Sequence, residues 1–184
     1  MKNVIVIYDD SRKPDQEISM ITGRKSYGNI IFKRQSLRTR IRERVLGLDG
    51  VYAFTDLSEL NDSRDELKAV AAGVIRLYSD HEITDMEAFS VLLKKSLYVK
   101  ENYAVVCDGN IAAILYPTLA CVPDEADGMA EEYERIDSRA FTALSDVSNF
   151  RRFITSGFDA RFFNALRGDE YTVIKSSENV DKLR

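Results

Sequence analysis

The sequence predicts an α/β fold: a mixed sheet flanked by helices, followed by a helical C-terminal segment and a final short strand. Three observations predict it. Val4-Ile5-Val6-Ile7-Tyr8 is a short apolar run, as in a strand buried on both faces. Leu37, Ile41, Val45 and Leu48 recur at helical spacing. Asp108-Gly109 separates two apolar runs, a strong hairpin signal. Strand and helix signals are interspersed, which marks a mixed class.

The elements follow in order. Residues 3–8 read as a strand closed by Asp9-Asp10-Ser11. Residues 11–29 are polar, carry Pro14, Gly23 and Gly28, and read as a long loop, of the kind that binds something or is disordered. A helix is expected from about Leu37 to Leu48, with Ser36 as N-cap and Gly47 and Gly50 at its end. Val51-Tyr52-Ala53-Phe54 reads as a second strand. Ser63 and Glu66 form a capping-box pattern before a stripe of Leu67, Val70, Ala71, Val74 and Tyr78, which predicts a helix. Thr84 and Glu87 repeat that pattern before Phe89, Leu92, Leu93 and Leu97. Tyr103–Cys107 and Ile111–Tyr116 are the strands of the hairpin. Residues 124–137 hold seven acids against Arg135 and read as a linker or a solvated helix. Phe141 to Leu166 is an aromatic-rich helical segment, and Tyr171–Lys175 a last strand. The expected division is 1–123, an α/β domain, and 124–184, an acidic linker with a helical segment and terminal strand, either separate or part of the same domain.

Composition excludes several function classes. The chain has 184 residues, 26 basic and 30 acidic, for a net charge of −4, which argues against a nucleic-acid partner. One histidine, His81, and two cysteines, Cys107 and Cys121, leave little for a zinc site. A nucleophilic triad would have to use His81, which reads as a solvent-facing or capping residue. No apolar run is long enough for a signal peptide or a membrane span. Two cysteines without a spacing motif fit a reducing compartment, so a cytoplasmic location is expected.

The candidate chemistry starts with a basic cluster: Arg24, Lys25, Lys33, Arg34, Arg38, Arg40, Arg42 and Arg44. Guanidinium groups bind phosphate through paired hydrogen bonds. Arg38/Arg42 and Arg40/Arg44 are like-charge pairs four residues apart, which calls for an acidic partner. That partner is either a ligand or the chain's own 124–137 segment. Asp9-Asp10 ends the first strand, where ligands gather in open α/β sheets; it could hold Mg²⁺ or simply start a turn. Asp108 carries the same choice between metal and hairpin. Lys175 could reach phosphate or guard a sheet edge. The glycines form no phosphate-loop or dinucleotide fingerprint.

Ser145-Asp146-Val147-Ser148-Asn149-Phe150, Ser156-Gly157-Phe158-Asp159-Ala160-Arg161-Phe162-Phe163-Asn164 and Gly168-Asp169-Glu170-Tyr171-Thr172-Val173-Ile174-Lys175-Ser176-Ser177 together resemble bacterial capsular polysaccharide biosynthesis proteins. That resemblance implies a kinase-like phosphotransferase region beginning here, with Lys175 on the phosphate-contacting strand. By the same resemblance the chain, which stops at Arg184, is a fragment or a shortened relative and not a complete kinase. The N-terminal part is similar in layout to sugar-phosphate nucleotidyltransferases. Their glycine-rich signature is absent, and Asp9-Asp10-Ser11-Arg12-Lys13 stands in its place.

The resulting expectation is a surface-polysaccharide protein, an active or degenerate sugar-phosphate nucleotidyltransferase. It would bind a nucleotide or sugar phosphate through Arg12, Lys13, Lys33, Arg34 and Lys175, with Mg²⁺ on Asp108 and Asp9. Two other readings compete with it. One is a non-enzymatic regulatory module that docks a second copy or a partner protein through residues 141–163. The other is an N-terminal fragment of a kinase-like phosphotransferase.

Overall fold

A computed structural model describes residues 3–70 and 72–156. The expected strand Tyr171–Lys175, Lys175 itself and the aromatics from Phe158 onward lie outside the described residues.

The chain begins with β1 (Val4–Asp9), every residue of which is buried. A strand covered on both faces has no use for alternation, which is why its sequence is a continuous apolar run. Parallel β4 (Val51–Asp56) lies on one side of β1 and parallel β5 (Gly73–Tyr78) on the other. Next come β8 (Asn110–Tyr116), β7 (Tyr103–Cys107) and β9 (Glu134–Asp137), giving the order β4-β1-β5-β8-β7-β9. Only β8 runs against the others. This is the mixed sheet flanked by helices that the sequence predicts.

Helices α2 (Leu37–Leu46) and α4 (Met86–Ser96) cover one face of the sheet through Ile41, Val45, Phe89, Leu92 and Leu93. Helix α3 (Leu60–Lys68) and the segment around Leu119, Val122 and Ala130 cover the other. Burying one such aliphatic side chain contributes about 1.5–3 kcal/mol. A third cluster joins α1 (Gln16–Thr22), Tyr27, the hairpin β2 (Ile31–Phe32) and β3 (Gln35–Ser36), and α5 (Val147–Ser156). Short β6 (His81–Ile83) pairs with β10 (Phe141–Ala143).

Several local expectations hold. Ser36 caps α2 by accepting a hydrogen bond from the Thr39 amide. Asp108 and Gly109 take positive φ of 49° and 81°, the backbone a two-residue hairpin turn requires.

Others are corrected. Residues 11–29 are not a structureless loop: Asp15 caps α1, whose Ile18 and Ile21 pack into the third cluster. Ser63 lies inside α3, not at its start. The stripe running on to Val74 and Tyr78 is not one helix, because residues 73–78 form the central strand β5. Asp85, not Thr84, caps α4. Residues 124–137 are neither a free linker nor a helix: a short 3-10 turn at Ala130–Glu132 leads into β9, which adds to the sheet edge beside β7. The Phe141 end of the aromatic segment is strand β10, and the helix begins only at Val147. His81 is not solvent-facing, being 3% exposed. No helix among the described residues is long and apolar enough to cross a membrane.

Candidate functional site

The connection from β1 passes to α2 on one face of the sheet, while the connection from neighbouring β4 passes to α3 on the opposite face. Where adjacent parallel strands send their chains apart, a crevice opens at their carboxyl ends. The structure has a cleft of about 540 Å³ there. Asp9, Asp10, Ser11 and Lys13 reach it from β1; Asp56, Leu57 and Ser58 from β4; Lys25, Ser26 and Asn29 from the turn after α1; Arg38 from α2; and Asp124 from the acidic segment.

Arg38 organises the cleft wall. It donates to Asp10 at 2.7 Å, to Asp56 at 3.3 Å and to Asn29 at 2.9 Å. Asp10 also accepts from the Gly28 amide at 3.1 Å and the Ser79 hydroxyl at 2.7 Å. A Cβ on Gly28 would stand 2.5 Å from the Asp10 carboxylate, so only glycine permits this approach. Lys13 and Lys25 also line the cleft and form no ion pair among the described residues. Ser26 Oγ is buried and has no hydrogen-bond partner among the described residues. The cleft therefore offers two ammonium groups that are unpaired among the described residues, together with carboxylates already held by an arginine.

Beneath the cleft lies a buried ionic network. Asp9 and Arg76 are both 0% exposed and joined at 2.7 Å. Asp9 also accepts from the Ser11 amide at 2.9 Å. Arg76 donates to the Glu125 carbonyl at 2.9 Å, and Tyr116 donates to Asp127 at 2.6 Å. Arg64 donates to the Leu119 carbonyl and to Asp124, at 3.0 Å and 2.7 Å. These two arginines hold the acidic segment against the sheet, which places Asp124 at the rim.

A second cluster stands at the end of β5. Arg12 donates to Asp80 at 3.1 Å and to the Ile111 carbonyl at 2.7 Å, and its guanidinium lies 3.7 Å from the centre of the Tyr78 ring. His81 Nδ1 meets Asp80 at 2.8 Å, while Nε2 is buried with no partner among the described residues. Burial pushes the Asp80 carboxyl up, but the His81 hydrogen bond and the Arg12 charge outweigh it, and the net effect is downward. Burial also raises the Tyr27 and Tyr78 phenols, each to about 12.

The expected site residues separate on this framework. Lys13 and Asp9 line the cleft; Arg12 does not, being bonded inward. Lys33 and Arg34 form the exposed turn of the β2–β3 hairpin, with φ of 50° and 66°, and do not line the cleft. Lys25, Ser26, Arg38 and Asp56 complete it; Lys25 and Arg38 belong to the basic cluster read from the sequence, whereas nothing local marks Ser26 or Asp56. The acidic partners of the α2 arginines are Asp10, Asp56 and Glu82, the last bonded by both Arg40 and Arg44, and not the 124–137 segment.

The pairing of Asp9 with Asp108 does not fit Mg²⁺. Strands β5 and β8 stand between the two residues, and Asp108 is exposed at the hairpin turn. Both Asp9 oxygens already accept hydrogen bonds. Among the described residues no group of three His, Cys, Asp or Glu could hold a metal ion.

No protein-family model matches the chain. No curated protein matches it either. A solved structure from Desulfovibrio desulfuricans G20, provisionally named a nucleotide-diphospho-sugar transferase, overlays on 99% of this chain and 98% of its own. The identity is 9% and the TM-score 0.46, a likeness too loose to carry an argument about chemistry.

Proposed function

We propose that this chain binds a phosphorylated sugar or nucleotide in the cleft at the carboxyl ends of β1 and β4. The carrying observation is the pair of lysines, Lys13 and Lys25, that line this crevice without an ion pair among the described residues. A phosphoryl group satisfies such cations with charge-assisted hydrogen bonds. Asp10, Asp56 and Asp124 line the same cleft as hydrogen-bond acceptors, the chemistry that reads sugar or ribose hydroxyls. A purely anionic ligand would be repelled by these carboxylates. A ligand with one anionic end and one hydroxyl-rich end matches both.

A role in surface-polysaccharide assembly is the finer form of this proposal. Its support is the resemblance of residues 145–177, and the ligand class agrees with it. In this reading the cleft residues bind and orient such a ligand.

Calorimetric titration with CTP, UTP, ATP and GTP, and with hexose 1-phosphates, tests it. The expected result is saturable binding of at least one compound, lost in the K13A/K25A variant. No heat with any of them, at protein well above micromolar, overturns it.

A further inference from the structure

We propose that this chain associates head-to-tail with further copies of itself, the acidic turn around Met129 of one copy seating in a basic groove beside α4 of the next. This contact is independent of the cleft at the β1 and β4 ends.

The groove measures about 690 Å³ and lies at the opposite end of the sheet, where α4 ends and β7 begins. Val91, Tyr98, Val99 and Ile136 are its apolar lining. Val91 is 52% exposed and Tyr98 80%. Lys94, Lys95 and Lys100 share the lining, and none forms an ion pair among the described residues. Glu101, the acid in the lining, accepts from the Tyr103 hydroxyl at 3.2 Å.

The complementary feature is the Gly128-Met129 turn. Met129 is 53% exposed. Glu131 and Glu132 follow it in the exposed 3-10 turn. Glu131 reaches only the exposed Arg135, and Glu132 makes no ion pair among the described residues. An exposed apolar side chain followed by two acids is complementary in charge to an apolar lining that carries three lysines.

A copy cannot fill its own groove. Ala130 and Tyr133 fasten the turn to the sheet face that carries α3, whereas Val99, Tyr103 and Ile136 pack on the face that carries α4. Groove-to-groove pairing would oppose six lysines, and turn-to-turn pairing would oppose four glutamates; both are repelled. The attractive combination is turn to groove. That contact is heterologous, so each copy keeps one free turn or groove, and assemblies grow beyond a dimer unless they close into a ring.

Sedimentation velocity on the full chain reads the outcome over a concentration series. At about 10 mM ionic strength, where screening reaches only beyond ~30 Å, the weight-average sedimentation coefficient should rise with concentration. At about 1 M, with screening at ~3 Å, the rise should be lost. Variant K94E/K95E should stay monomeric, and so should E131K/E132K. Mixed together they should associate again, because each reversed surface then meets its opposite. Circular dichroism confirms that both variants are folded. A wild-type chain that remains monomeric throughout at low salt overturns the proposal, as does a mixture of the two variants that stays monomeric.

Discussion

Asp9 and Arg76 show what a buried charge demands of its partner. Each is fully enclosed, and each is the other's ion-pair partner among the described residues. Truncating one strands the other in a low-dielectric interior, a cost of about 3–5 kcal/mol. Variant R76M should therefore lower stability by that amount in urea unfolding, and D9L/R76M should recover much of it, since no lone charge remains. A nearly neutral R76M would contradict this reading. Asp80 makes a different prediction, about pH. Its folded carboxyl titrates below the ordinary value, so the unfolded chain takes up this proton at higher pH than the folded chain does. The stability it contributes is complete above the ordinary carboxylate range of about 4 and is lost as pH falls through the lower folded value. Variant R12M removes a cation that depresses it, so urea midpoints measured against pH should be lower at neutrality and flatter on the acid side. Profiles parallel to wild type would contradict it. Neither residue pair is visible in the sequence: Arg76 sits 67 positions from Asp9, and Arg12 sits 68 from Asp80.

At the scale of elements, signals confined to a few neighbouring residues are the ones that can be read. Ser36 before the Leu37 stripe marks a helix start because the cap is made within three residues. Variant S36A should cost about 1 kcal/mol, measured as a shift in the urea midpoint, and an unchanged midpoint would show that the cap is idle. Asp108-Gly109 is equally local. The failures are elements whose support is remote. Helix α1 has seven residues, too few to hold alone, and stands because Ile18 and Ile21 reach a cluster containing Phe150. Strand β5 was concealed because Leu67, Val70, Val74 and Tyr78 fall at helical spacing by chance; Val74 and Ile75 become strand residues once β1 and β8 pair with them. The β2–β3 hairpin turns on Lys33-Arg34, with neither glycine nor asparagine to announce positive φ, so two cations expected at a ligand became a turn.

For the whole molecule, the topology decides where a ligand can go. The cleft was legible as a place, the end of the first strand, and as a charge type. Its full membership was not, because Lys25, Arg38, Asp56 and Asp124 meet only after the chain has crossed both faces of the sheet. The aromatic segment shows the same dependence. Phe141, Phe150 and Ile154 are buried, and Phe153 stacks on Phe32 at 4.5 Å, so the described part of that segment is core. Binding of a phosphorylated ligand in the β1–β4 crevice, as proposed above, is tested by amide chemical-shift mapping during titration with UTP and with glucose 1-phosphate. Saturable shifts are expected at Ser11, Lys13, Lys25, Ser26 and Ser58, and are expected to be absent in K13A/K25A. Shifts that saturate elsewhere, or persist unchanged in the double variant, would contradict it.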